Sequence, residues 1–162
     1  MKKNILYLLG LILIFSSCEK DDICLLPTTP KLILRFYDNA NPSSFKSVER
    51  FSAVAESKGI DSLFVSRNLD SIAIPLNVNA TKTVYTLKTN TVSGNKADNK
   101  FEKITINYTT EDVFVSRSCG FKTIFKNVTI TSDNVWFKSL TLNPTTLTTI
   151  ENETAAHVKI FH

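Results

Sequence analysis

Apolar residues recur at every second position along most of this chain, the period of a strand with one buried face. In DSIAIPL, Ile72, Ile74 and Leu76 share one face and smaller residues the other. Residues 101–109 place Ile104, Ile106 and Tyr108 inward, with Lys103, Thr105 and Asn107 outward. Residues 134–142 group Trp136 with Leu140 and Leu142 in one core strand. The same pattern predicts strands over 31–37, 48–55, 63–66, 83–89, 113–116, 121–130 and 156–161. Threonine, valine, isoleucine and phenylalanine dominate these runs and suit a pleated, half-buried surface. Turn chemistry divides them at Asp38-Asn39-Ala40-Asn41-Pro42, Lys58-Gly59, Ser93-Gly94-Asn95-Lys96, Ser132-Asp133-Asn134 and Asn143-Pro144. Glu111-Asp112 reads as a further tight turn between Tyr108 and Val113. No window carries a helical stripe. The expectation is all-β: a single antiparallel β-sandwich over residues 25–162, with a closed β-barrel as the alternative. Pro75 cannot donate to a ladder, so its strand belongs at an edge or carries a bulge there. The last strand pattern runs to His162, so truncation there should impair folding.

The N-terminal residues break the alternation. Met1-Lys2-Lys3-Asn4 precedes the apolar run ILYLLGLILIF. A basic segment followed by an apolar one reads as a signal peptide over 1–17. The run is shorter than the ~20 apolar residues that a spanning helix needs. Losing Lys2 and Lys3 with the signal leaves 17 basic against 15 acidic residues, a net of +2 rather than +4. The lysines are scattered without a basic stripe, which argues against nucleic acid.

Ser16-Ser17-Cys18 resembles a bacterial lipobox, although Phe15 stands where leucine, valine or isoleucine is usual. The resemblance implies that Cys18 carries lipid, palmitate among its acyl chains, and that residues 18–24 form a short tether. Two or more acyl chains make attachment stable, at ~0.8 kcal/mol per buried methylene. Glu19, Lys20, Asp21 and Asp22 resemble the lipoprotein export signal of Bacteroidota. That likeness implies an outer-membrane location facing the cell surface, with the periplasmic face as the alternative.

Cys24 and Cys119 remain, and two cysteines left over in an exported protein read as one disulfide. The rival reading makes Cys119 a nucleophile served by His157, but it lacks a third, orienting group. Six residues from Cys18 to Cys24, at about 3.4 Å each, span at most ~20 Å. A domain tied at Cys24 therefore stays close to its membrane.

The other chemistries are thin. His157 and His162, the only histidines, fall on opposite faces of a strand, so one metal ion cannot easily use both. His157, beside Lys159, is expected on the outer face in water. Glu111 and Asp112 point apart on extended chain and make no acid–base pair. Neither a glycine-rich phosphate loop nor a Gly-x-Ser-x-Gly elbow is present. The expectation is a non-enzyme without metal or cofactor. Tyr37, Tyr85, Phe114 and Trp136 are candidates for a glycan platform, and Trp136 reads as core. Asp61-Ser62-Leu63 and Asp70-Ser71-Ile72 resemble the O-glycosylation sequon of Bacteroidota, making Ser62 and Ser71 candidate sites.

Several stretches together resemble an uncharacterised family of Bacteroidota lipoproteins, a domain of unknown function. They are Asp22-Ile23-Cys24-Leu25 with Thr28-Thr29-Pro30-Lys31, Leu34-Arg35-Phe36-Tyr37-Asp38, the 70–76 strand, Val115-Ser116-Arg117-Ser118-Cys119-Gly120-Phe121 and Ala156-His157-Val158-Lys159-Ile160-Phe161-His162. The resemblance brings no activity or catalytic residue. The resulting expectation is a lipid-anchored outer-membrane protein acting as a structural or interaction component beside a protein partner. The alternative is a surface-displayed glycan- or peptide-binding module.

Overall fold

The computed structural model describes residue 24 and residues 29–59, 62–90, 95–143 and 148–162. The signal segment 1–17, Cys18, Glu19, Lys20, Asp21, Asp22 and parts of the turns expected at 93–96 and 143–144 lie outside the described residues. Among the described residues nine strands form two sheets. In chain order they are β1 (Leu32–Tyr37), β2 (Val48–Ala55), β3 (Ser62–Leu69), β4 (Ser71–Ile74), β5 (Lys82–Thr89), β6 (Lys100–Ser116), β7 (Gly120–Ser132), β8 (Ser139–Leu142) and β9 (Val158–Phe161). The four-stranded sheet runs β4-β1-β9-β8 and the five-stranded sheet β3-β2-β5-β6-β7. Neither closes on itself, so the fold is a β-sandwich and not a barrel.

The alternation explains why two sheets form. Leu32, Leu34 and Phe36 of β1, Ile72 and Ile74 of β4, and Val158 and Ile160 of β9 are buried on one inner face. Phe51 and Ala53 of β2, Tyr85 and Leu87 of β5, Ile104, Ile106 and Tyr108 of β6, and Phe125 and Val128 of β7 meet them. A sheet with one apolar face is stable only when that face is covered, and the second sheet covers it. Burying each such side chain contributes about 1.5–3 kcal/mol.

Four expectations are corrected. Residues 101–116 form one long strand, and Glu111-Asp112 lie within it rather than in a turn. Both are ladder positions, opposite Ile124 and Thr123, because β7 continues alongside and supplies partners for their backbone groups. The strand expected over 134–142 is only β8, and the preceding residues form a loop. That loop wraps the fully buried carboxylate of Glu102, which accepts from the backbone N–H groups of Val135 at 2.8 Å and Trp136 at 3.0 Å. Ser132 Oγ hydrogen-bonds to the other oxygen of Glu102.

His157 is not in water. It is 3% exposed, and its Nδ1 accepts from the Ile33 N–H at 3.0 Å. It immediately precedes β9, where its backbone N–H donates to the Ile33 carbonyl at 2.9 Å and its ring supplies the acceptor for the Ile33 N–H. Burial lowers its pKa below the ordinary value, against a raising hydrogen bond to the Asn152 backbone and the nearby Glu153. Lastly, the sandwich is not wholly antiparallel. β9 pairs parallel with β1, from Leu34↔Val158 to Tyr37↔Phe161, and antiparallel with β8. A parallel pair needs a long crossover, and here nearly the whole domain lies between its two strands. Pro75 fits its reading: β4 is an edge strand and ends at Ile74.

Candidate functional site

The most distinctive feature is the end of the β6–β7 hairpin. β5 pairs with β6 only from Lys82↔Asn107 to Thr89↔Lys100. Beyond that, residues 109–116 have β7 as their only ladder partner among the described residues, so the two strands continue as a ribbon, which the chain around Ile150 joins at its base through the Phe125↔Ile150 bridge. At the start of the ribbon β7 carries an extra residue between the Asn107↔Thr129 and Thr109↔Lys126 pairs. Asn127 sits there with φ of 53°, a left-handed conformation that asparagine tolerates. The ribbon is braced by Lys126–Glu111 at 2.6 Å and Thr123–Asp112 at 2.7 Å, which hold the two acids on separate faces.

Residues 117–119 make the turn. Ser116 Oγ accepts from the Cys119 N–H at 3.0 Å, and Gly120 follows with φ of 66°, which glycine adopts without steric cost. This local geometry presents Cys119 to Cys24. The two form a disulfide with a Cα–Cα separation of 4.9 Å, as the cysteine count implied. Cys119 is therefore no nucleophile in this oxidised state.

Beside the disulfide, Phe114 and Phe121 are cross-strand partners. They are 62% and 64% exposed, and their rings meet edge to face at 5.5 Å. By the strand period Phe121 shares its face with Phe125, which is fully buried. The pair therefore continues the core face past the end of the core. Phe114 was visible in the sequence as an aromatic candidate. Phe121 was missed, although the two are symmetric about Arg117-Ser118, which is the signal a hairpin leaves.

The remaining aromatic candidates divide. Tyr85 is buried, its hydroxyl donates to the Pro75 carbonyl at 2.6 Å, and burial pushes its pKa up to about 12. Trp136 is buried against Phe36 and Phe137, so the core reading holds for it. Tyr37 lies on the outer face of the four-stranded sheet, with Phe45 at 5.2 Å and Phe161 at 5.4 Å. Arg35 sits over Phe45 at 4.3 Å and Lys159 over Tyr37 at 5.8 Å. Phe45 and Phe161 were not singled out in the sequence, because only the β1–β9 register brings Phe161 to Tyr37 and only the Tyr37↔Phe45 bridge brings Phe45 there.

Ser71 is half-buried in β4 and its hydroxyl donates to the Leu34 carbonyl at 3.4 Å, a bond that a glycan there has to break. Ser62 opens β3, and its side chain and Asp61 lie outside the described residues. Among the described residues no group of three histidine, cysteine or acidic side chains could hold a metal ion.

A family of unknown function, DUF6452, matches residues 51–162, more than half of the chain. The protein belongs to the DUF6452 family. The match takes in the long hairpin, Cys119 and β9, and it starts within β2, after Cys24. Among curated proteins and solved structures, none matches the chain.

Proposed function

We propose that this DUF6452 protein is a lipid-anchored component of an outer membrane, held against that membrane and acting through protein contact rather than catalysis. The observation that carries the reading is the Cys24–Cys119 disulfide. It ties the folded domain six residues from Cys18, so a lipid there leaves a leash of at most ~20 Å. Support for a protein partner comes from β3, an edge strand with Leu63 and Val65 exposed. Open edges with apolar side chains accept an added strand.

Intact-mass measurement and detergent-phase partitioning, on protein from its organism of origin, test the anchor. The expected mature chain starts at an acylated Cys18 and enters the detergent phase, while Cys18→Ala stays aqueous. An unmodified mature mass refutes the anchor. Protease shaving of intact cells separates the surface face from the periplasmic one. For the contact role, crosslinking in membranes should capture a partner that the L63K and V65K variants lose.

The second reading, a glycan- or peptide-binding module, rests on the Tyr37, Phe45 and Phe161 cluster with Arg35 and Lys159 above it. Aromatic faces with adjacent cations suit an acidic sugar or peptide. Binding to immobilised acidic polysaccharide that Tyr37→Ala abolishes favours this reading over the first.

A further inference from the structure

We infer that the tip of the β6–β7 ribbon dips into the lipid interface, with Phe114 and Phe121 as the inserted side chains. The inference rests on the lipid-anchor reading and adds which surface meets the membrane. Two large apolar side chains that are 62% and 64% exposed stand side by side where the ribbon has outrun the core. Among the described residues none covers them, and the turn beside them is fixed by the disulfide to Cys24. Cys24 is the point from which the leash runs to Cys18, so the tip is the part of the domain drawn closest to the bilayer.

Magnitude chooses the occupant. The leash spans at most ~20 Å. A small folded domain is about 30 Å across, so a folded partner does not fit between tip and bilayer. The lipid interface does, and phenylalanine is among the side chains that bury about 5–10 Å into the headgroup–acyl boundary. Arg117, exposed in the turn, is the cation placed to meet lipid phosphate. A glycan platform is disfavoured here, since the two rings are inclined at 71° and offer no common flat face.

The test uses the full lipidated chain in vesicles of phosphatidylethanolamine and phosphatidylglycerol with brominated acyl chains. Tryptophan is introduced singly as F114W, F121W or V135W, and the signal of buried Trp136 in the wild type is subtracted. Val135 is 61% exposed and follows the opposite end of β7, roughly 35 Å from the tip at about 3.3 Å per residue. The expected result is blue-shifted emission at 114 and 121 that bromine quenches several-fold more than emission at 135. Equal quenching at all three positions, with the lipid present by intact mass, overturns the inference and leaves the anchor standing. Blue-shifted emission at 114 without quenching shows the pair covered by protein, a second copy or a partner, and also overturns it. A mass without lipid overturns the anchor and the inference together.

Discussion

At the scale of single residues, two buried polar groups decide more than any surface charge. Glu102 is fully buried at an inward position of β6, and its carboxylate gathers the Val135 and Trp136 N–H groups and Ser132 Oγ. Glu102→Leu strips acceptors from all of them and should cost about 3 kcal/mol or more in urea unfolding. Glu102→Gln retains an acceptor oxygen and should cost less. Glu102 was not among the inward residues read from the sequence, although it lies two positions from Ile104, and nothing local tells which loop will meet its carboxylate. His157 and His162 both have pKa values lowered from the ordinary 6.5, in each case chiefly by burial. A histidine whose folded pKa is depressed binds its proton more readily in the unfolded chain. Stability is therefore full above about pH 6.5 and falls as the pH drops from there through the folded values. Unfolding midpoints taken at about pH 7 and about pH 5 should show this loss. His157→Phe removes the acceptor for the Ile33 N–H, lowering stability by about 1–3 kcal/mol at neutral pH and flattening the pH dependence.

At the scale of elements, the hairpin shows what alternation can and cannot announce. Both halves of β6 were legible as strands, but two adjacent acids looked like a turn between them. Acids are poor strand formers in isolation, and here Lys126 and Thr123 on β7 pair with them across the ladder. The disulfide closes the tip onto Cys24 across 95 residues. Replacing both cysteines by serine should cost about 4–5 kcal/mol in the chain-entropy account. Thermal unfolding of the wild type with and without reductant checks this independently, since reduction should lower its melting temperature towards that of the double variant. The cysteine count, taken with the expected export and lipidation of Cys18, implied this bond. The ribbon that carries Cys119 beyond the sandwich follows from where β5 ends, and no local pattern marks that.

At the scale of the whole molecule, β9 is the keystone of the smaller sheet, lying between β1 and β8. Deleting residues 158–162 leaves β1 and β8 without their shared partner and uncovers one inner face. The expected outcome is loss of cooperative unfolding, together with loss of hydrogen-exchange protection at the β1 amides that donate to β9. The amino-acid sequence by itself determined that this protein is all-β, that its strands bury one face each, and that Cys24 and Cys119 are available to pair. Those properties are local or compositional: a two-residue period is built into extended backbone, and the cysteines are counted directly from the chain. Only the tertiary structure decided that β9 runs parallel beside β1, that His157 is buried against Ile33, and that Phe114 and Phe121 stand outside the core. Their surroundings are set by segments distant in sequence, and the same alternating pattern places a side chain in the core or in the open according to where the opposing sheet ends.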